Sequence, residues 1–331
     1  MEHPLKCKPF LELLEAHHTA ALVSDKYLKI IRSFYLEYKK AVGSSVNADL
    51  MFSTLLKCIE QQGKCAFVFE PFHRRVRVPF DYYQFGLDFI NPLVDFPHST
   101  LNGSNVLKTI AHQIENKENV VFLANHQTEP DPQVISLLLQ KEFPKLAEEM
   151  IFVAGERVIT DPLAIPFSMG RNLLCIYSKR YIDYPPELKA EKQRHNKRTM
   201  ELMSELLSEG GQAIYVAPSG GRDRRNGQGV IEVAPFDAQS VEMFYLMARR
   251  ASRPTHFYPM ALKTYFLLPP PETVQVELGE HRLAQKAPVH IAIGSAIDME
   301  AACTSKDKHQ RRQERATYIY NLVEKAYKAF P

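Results

Sequence analysis

Apolar and polar residues follow two different patterns along this chain. Near the amino terminus, three segments place an apolar residue every three or four positions, which predicts helices over 10–21, 27–42 and 48–62. The stripe from Leu28 to Tyr38 is the clearest of these patterns. We therefore predict a small helical bundle whose apolar faces pack into a core.

Beyond about residue 75 the pattern changes to short apolar runs that alternate with helical segments. We predict strands over 120–124, 151–158, 172–178, 212–218, 256–267, 274–279 and 289–294, and helices over 104–116, 187–209, 240–252 and 308–330. Such alternation is typical of an α/β domain. The predicted fold class is thus α/β, with a helical bundle domain over 1–75 and, over 76–331, a larger domain with a mostly parallel mixed sheet flanked by helices.

Composition narrows the class of protein. The chain has 331 residues, and its 41 Lys and Arg against 38 Asp and Glu give a net charge of +3, so no nucleic-acid partner is indicated. The five cysteines are odd in number and form no C-x-x-C pair, which favours reduced thiols over disulfides or zinc. Because no signal, transit or membrane-spanning segment is evident, we predict a soluble, cytoplasmic protein, and transient contact with a membrane surface stays open.

The first candidate for chemistry is the stretch VVFLANHQTEPDP, where a predicted strand runs into a polar turn. Asp131 before Pro132 predicts the N-cap of a following helix. On one continuous helix His126 and Asp131 would lie about 140° apart, but a turn can bring the carboxylate to one ring nitrogen and leave the other free to accept a proton. The pattern predicts a His/Asp general-base pair, although this spacing also arises by chance.

A second candidate, PSGGRDRR, follows the predicted strand at 212–218. Loops at the carboxyl ends of parallel strands meet in one crevice, so this loop can face the His/Asp turn. Gly220 and Gly221 shape a loop that a ligand can approach closely, and Arg222 and Arg224 offer charged forks suited to phosphate. The alternative is a solvated arginine loop paired with Asp223 and surface acids.

Three further charged features lie near the ends of predicted strands or on a predicted helix. Lys179 and Arg180 end the strand at 172–178 and either add charge to the same crevice or only flank an apolar strand. Glu129 and Glu156 are interpreted as helix-start or solvent acids. The basic run 189–198 is typical of a solvated helix face, and its functional alternative is a docking patch for an acidic carrier protein.

Three sequence blocks resemble a known enzyme family: NHQTEPDP at 125–132, the segment from VAGERV to YSKR at 153–180, and APSGGRDR at 217–224. Together with VPFDYYQFG, APFDAQSV and the helical amino-terminal region, they make nearly the whole chain similar to the soluble, plastid-type glycerol-3-phosphate 1-O-acyltransferases. The blocks shared by the wider glycerolipid acyltransferase superfamily match residues 125–131, Arg180, residues 220–222 and Pro259.

The resemblance implies a reaction and a set of site residues. A fatty acyl group would pass from a thioester of acyl carrier protein or coenzyme A to the sn-1 hydroxyl of glycerol 3-phosphate, with no metal and no other cofactor. The phosphate would be bound by Arg222 and Arg224 and by a basic pair that falls on Arg180 and Tyr181, next to Lys179. Tyr181 departs from the family's histidine and can supply only a hydroxyl.

The residues themselves suggest how such a transfer would proceed. Asp131 would orient His126, which takes the hydroxyl proton as the oxygen attacks the thioester and then protonates the departing thiolate. No acyl-enzyme is needed, and no G-x-S-x-G motif is present.

Three alternatives stay open at the level of the sequence. The same site could acylate a lysophospholipid. His126 and Asp131, with His112 or His195, could instead be ligands of a metal-dependent phosphoesterase. A non-catalytic module that binds phospholipid or a carrier protein is the third.

Overall fold

A computed structural model describes residues 9–178, 182–272, 278–301 and 303–331. The predicted amino-terminal helices are present, with small differences at their ends: α1 (Phe10–Thr19), α2 (Asp25–Val42) and α3 (Ala48–Lys64). Ser24 and Asn47 cap the second and third by accepting hydrogen bonds from the third backbone N–H along the chain. Local capping and apolar spacing therefore account for this region.

These helices share a core with later parts of the chain. The Phe52 ring contacts Phe34 and Tyr38 on α2, and all three rings contact Phe89. Phe89 belongs to α4 (Tyr82–Ile90), and the Tyr38 hydroxyl donates to its carbonyl oxygen. The packing is continuous across residue 75, and the division into domains 1–75 and 76–331 stays a prediction.

The predicted α/β fold is confirmed by a mixed, mostly parallel sheet of eight strands within the described part of the chain. The strands are β1 (Phe72–His73), β2 (Thr100–Asn102), β3 (Asn119–Ala124), β4 (Ile151–Gly155), β5 (Asn172–Ile176), β6 (Ala213–Val216), β9 (Thr255–Lys263) and β10 (His290–Ile293), and a separate hairpin is formed by β7 (Arg224–Arg225) and β8 (Ile231–Glu232). Their order in the sheet is β1-β5-β4-β6-β3-β9-β10-β2. Only β1 against β5 and β10 against β9 are antiparallel.

Helices cover both faces of the sheet. Alternate side chains of β3 point to opposite sides, as the pleat requires, so Phe122 lies in one apolar cluster while Val121 and Leu123 lie in the other. No described helix has the length and apolar character needed to span a membrane. The helices are α5 (Ser104–Glu115), α6 (Asp131–Leu139), α7 (Pro144–Glu149), α8 (Glu156–Thr160), α9 (Ile165–Met169), α10 (Lys189–Glu209), α11 (Ala238–Arg250) and α12 (Lys308–Lys328).

Several predicted element ends were wrong. The strand predicted to reach residue 158 ends at Gly155, where its pairing with β5 ends and α8 begins. The strand predicted over 256–267 ends at Lys263, because the next backbone N–H, that of Thr264, donates to a side chain, Gln127 Oε1, at 2.7 Å. Of the strand predicted over 274–279, residues 274–277 lie outside the described residues.

Candidate active site

The end of β3 is held between its two neighbours by Asn125. Its amide oxygen accepts from the backbone N–H of Leu262 at 2.7 Å, and its amide nitrogen donates to the Leu262 carbonyl at 2.9 Å. On the other side, the Tyr215 hydroxyl donates to the Asn125 carbonyl at 2.7 Å. The turn after β3 therefore begins from a position fixed by both β6 and β9.

His126 and Asp131 meet across this turn. The imidazole Nδ1 lies 2.8 Å from Asp131 Oδ2, while the His126 side chain keeps 30% exposure. With Nδ1 bound to the carboxylate, Nε2 is left on the open side, and no described residue gives it a hydrogen bond. The structure thus places a ring nitrogen where a substrate hydroxyl can reach it.

Asp131 is completely buried and fully occupied as an acceptor. Its carboxylate accepts from the backbone N–H groups of Gln127 and Thr128 at 2.8 and 3.3 Å and from the Thr264 hydroxyl at 2.6 Å. The prediction that Asp131 is the N-cap was wrong by one position. Pro130 is the residue before the helix, and Asp131 is the first helical residue. The Asp131 side chain bonds to the turn and does not cap the helix.

The protonation state of Asp131 follows from these contacts. Burial raises the pKa of the carboxyl group, but the hydrogen bonds from His126, Thr264 and Gln127 outweigh it, so the pKa lies below its ordinary value. The carboxylate stays ionised near neutral pH. It can therefore hold the neutral imidazole in place and stabilise the protonated one.

The glycine and arginine loop lies directly against this turn. The backbone N–H of Asp223 donates to the His126 carbonyl at 2.7 Å. The Asp223 side chain is buried and accepts from Asn125 Nδ2 at 2.7 Å, Gln127 Nε2 at 3.1 Å and the Ala234 N–H at 2.9 Å. Burial raises the pKa of Asp223 to about 6. The alternative of a solvated arginine loop paired with Asp223 was wrong, because the Asp223 side chain is buried and joins the two loops.

The two glycines differ in what the backbone requires of them. Gly220 has φ of +64°, in the left-handed region that favours glycine. Gly221 has an ordinary φ, and an added Cβ there would meet no atom within 4 Å. Gly220 therefore shapes the turn, whereas Gly221 leaves open space next to the arginines.

Arg222 and Arg224 have different surroundings. Both carboxylate oxygens of Glu280 accept from Arg222 Nη2, at 2.6 and 2.7 Å, and Arg157 lies 3.4 Å from the same carboxylate. Arg224 Nη1 is buried without a hydrogen-bond partner in the described structure. Burial, followed by the charge of Arg222, lowers the pKa of Arg224. Arg224 thus offers an unsatisfied cationic donor next to the turn.

Glu129 does not behave as the solvent acid that we predicted. Its carboxylate accepts from Arg282 Nε at 2.9 Å and Nη2 at 3.1 Å, and Arg282 also lies 3.4 Å from Asp161. Burial raises the pKa of Glu129, but the charges of Arg282 and Arg222 lower it by more. The pKa of Glu129 therefore lies below its ordinary value. Glu156 does begin a helix, α8, and it accepts from Lys192 at 3.0 Å.

The sequence did not identify Glu280 or Arg282, which lie far along the chain from the motifs they contact. Lys179, Arg180 and Tyr181 lie outside the described residues, and their roles stay predictions. Within the described part of the chain, no group of three His, Cys, Asp or Glu side chains is arranged to hold a metal ion.

An apolar cavity begins beside the turn at Glu129 and Pro130. It lies between α2, α4, α6 and α9. Its walls are mostly apolar: Phe34, Phe89, Ile90, Val158, Leu163, Ala164, Phe167, Leu173 and Leu268. The remaining lining residues are Gln133, Ser168, Arg171 and Arg282.

The sequence was compared with models of known protein families. The model of the Acyltransferase family matches residues 105–263, which include the His126 turn and the arginine loop. The match identifies an acyltransferase domain in the part of the chain that carries the site.

Individual relatives narrow the family. The chain is 40% identical to "Glycerol-3-phosphate acyltransferase ATS11, chloroplastic" from Cucurbita moschata over 305 residues, 90% of this chain and 68% of that protein. It is also 40% identical to "Glycerol-3-phosphate acyltransferase, chloroplastic" from Arabidopsis thaliana over 302 residues, 87% of this chain and 65% of that protein. The chain thus spans about two thirds of the length of these relatives, and it belongs to the glycerol-3-phosphate acyltransferase family.

A solved structure is also similar. The 1-acyl-sn-glycerophosphate (LPA) acyltransferase PlsC from Thermotoga maritima aligns over 96% of this chain and 94% of its own, with 14% identity and a TM-score of 0.39. That score is too low to establish a shared fold.

Proposed function

We propose that this protein transfers a fatty acyl group from a thioester of acyl carrier protein or coenzyme A to the sn-1 hydroxyl of glycerol 3-phosphate, giving lysophosphatidic acid. The observation that carries the proposal is the His126–Asp131 pair. His126 Nδ1 lies 2.8 Å from the carboxylate, and Nε2 is left on the open side of the ring. The family membership and the names of the relatives support the choice of acceptor.

The proton transfers follow from the geometry of the pair. His126 Nε2 takes the proton of the sn-1 hydroxyl while the oxygen forms a bond to the thioester carbonyl carbon. Collapse of the tetrahedral intermediate breaks the carbon–sulfur bond, and the same nitrogen returns the proton to the thiolate. Asp131 accepts from Nδ1 throughout and stabilises the imidazolium in between. No acyl-enzyme forms.

The phosphate of the acceptor is assigned to the arginine loop. The buried, unpaired Nη1 of Arg224 would gain a charged partner when phosphate binds. Arg222 is oriented by Glu280 through Nη2 only, which leaves its other donors for the ligand. We assign Arg180, Lys179 and the Tyr181 hydroxyl to the same phosphate.

The acyl chain of the donor is assigned to the apolar cavity beside Glu129 and Pro130. The proposal requires no metal and no cofactor beyond the thioester. A cytoplasmic location and transient contact of the amphiphilic product with a membrane surface stay predictions, since the relatives are described as chloroplastic.

The proposal is tested by incubating the protein with glycerol 3-phosphate and either palmitoyl-acyl carrier protein or palmitoyl-coenzyme A. We expect 1-acylglycerol 3-phosphate with at least one donor and loss of product with His126→Ala. Acylation of lysophosphatidate but not of glycerol 3-phosphate would overturn the proposed acceptor. No acylation of either acceptor would overturn the proposed reaction.

A further inference from the structure

The apolar cavity contains one charged group whose contacts are incomplete. Arg171 is only 3% exposed and lines the cavity. Its Nη1 donates to the Ser136 hydroxyl at 2.6 Å, but Nε and Nη2 are buried without a partner in the structure as described. The Tyr83 ring lies 4.8 Å from its guanidinium carbon. The Tyr83 side chain also raises the pKa of Arg171, but it is not a carboxylate, and a buried guanidinium without a carboxylate partner is costly.

The other polar groups of the cavity are satisfied, with one exception. Glu129 and Arg282 pair with each other, and the Ser168 hydroxyl donates to the Val158 carbonyl at 2.6 Å. The exception is Gln133 Oε1, which is also buried and unpaired. The unsatisfied polar atoms of the described cavity lining therefore belong to Arg171 and Gln133.

The two free nitrogens of Arg171 define the chemistry of a ligand. Nε and Nη2 lie along one edge of the guanidinium plane, and a carboxylate can accept from both at once. Burial lowers the pKa of Arg171 to about 10, so the group keeps its charge at neutral pH. The surrounding walls are apolar, so a ligand that matches both features is an alkyl chain with a carboxylate head.

The position of Arg171 sets the orientation of such a ligand. Arg171 immediately precedes β5 and so lies at the opposite end of the sheet from His126, which follows β3. Ser136 is five residues beyond Asp131 on α6, or about 7.5 Å at 1.5 Å per residue. The head group would lie deep in the cavity, with its alkyl chain against the apolar walls.

We propose that the cavity binds a free long-chain fatty acid with its carboxylate on Nε and Nη2 of Arg171. Binding does not depend on acyl transfer. If the acyl chain of the donor occupies the same cavity, as proposed above, the bound fatty acid also excludes the donor and inhibits competitively against it.

Calorimetric titration of the full chain, without substrates, tests the site with two probes of equal length, dodecanoate and dodecanol, below their micelle concentrations. Dodecanol keeps the alkyl chain and can donate to Gln133, but it lacks the charge. We expect dodecanoate to bind at least about tenfold more tightly, which corresponds to about 1.4 kcal/mol. Equal affinities, or no binding of either probe, would overturn the proposal.

Two variants locate the head group. In Arg171→Met the preference for dodecanoate should disappear, while in Arg224→Gln, at the phosphate loop, it should persist. The reverse result would place the carboxylate at the phosphate loop and contradict the proposal.

A further variant serves if Arg171→Met does not fold. Val158 is only half-buried, so Val158→Phe should be tolerated and should fill the cavity from one wall. Both probes should then bind at least about tenfold more weakly. Unchanged binding would show that they occupy another site and would count against the cavity.

Discussion

The two loops at the carboxyl edge of the sheet, the turn 125–131 and the loop 218–225, are built in different ways. In the turn, Asn125, Gln127, Thr128 and Asp131 are all buried, and their side chains bond to backbone or to one another. In the loop, Gly220 and Gly221 are exposed, and Asp223 is the buried anchor. The difference shows how one site combines a rigid base with a surface open to a ligand.

The buried carboxyl groups of the two loops, Asp131 and Asp223, also differ in their pKa. Asp131 accepts from an imidazole, a hydroxyl and backbone N–H groups, and its pKa falls. Asp223 accepts from a backbone N–H and two amides, and burial raises its pKa to about 6. Equal burial thus gives opposite shifts, because hydrogen bonds stabilise the Asp131 anion by more than burial costs. The turn needs a permanent anion, whereas Asp223 serves mainly to join the loops.

The largest effect is expected when the proposed general base, His126, is removed from the turn. His126→Ala should lower kcat by roughly 10²–10⁴, the usual size of a lost general base, with little change in KM for glycerol 3-phosphate. Steady-state kinetics measures both. His112→Ala, an exposed histidine on α5, is the control and should behave like the unaltered protein. Near-normal turnover of His126→Ala would refute the assignment.

A smaller loss is expected when the carboxylate of the turn is neutralised. Asp131→Asn places an amide where His126, Gln127 and Thr264 all donate, so we expect kcat to fall by roughly 10–10³ together with a lower free energy of unfolding. Thr264→Val removes one of these donors and should cost less in both measurements. If Thr264→Val and Asp131→Asn were equally impaired, the charge of Asp131 would have no special role.

The arginine loop should respond through binding instead of turnover. Arg224→Lys or Arg222→Lys loses the fork geometry and should raise KM for glycerol 3-phosphate by about tenfold, with kcat less affected. Arg225→Lys is the matched control, since Arg225 is exposed and contacts the Tyr265 and Phe266 rings. An unchanged KM in both of the first two variants would remove these arginines from the phosphate site.

The last prediction concerns the dependence of stability on pH, not turnover or binding. Because the pKa of Asp223 is raised to about 6 in the folded state, the folded protein binds this proton more tightly than the unfolded chain does. The contribution of Asp223 to the free energy of unfolding therefore falls as pH rises from about 4 to 6, by at most about 3 kcal/mol. Asp131 acts in the opposite sense, losing stability as pH falls below about 4. In urea unfolding, the free energy of unfolding of the unaltered protein should therefore rise relative to that of Asp223→Asn as pH falls from 6 to 4. A difference that stays constant would contradict the raised pKa.

Much of the fold could be predicted from local patterns. The apolar spacing of the amino-terminal helices and the buried run before Asn125 each predicted an element within a few residues of its observed ends. The segment YYQFGLDFI was not predicted as a helix, and α4 was missed, because the segment is short and most of its residues are apolar. Only Gln84 and Asp88, four residues apart, are exposed, while the other side chains are covered by elements that include α6 and α9.

The strand–turn–helix unit that carries His126 and Asp131 could be predicted from the chain alone, because the apolar run, the two prolines and the polar turn act over a few neighbouring residues. The contact of Glu280 with Arg222, 58 residues away, and the pairing of Arg282 with Glu129, 153 residues away, arise from the way the chain folds. Contacts over such distances leave no periodic signal in the chain. They depend on which strand ends the sheet brings together, and so does the cavity that Arg171 lines.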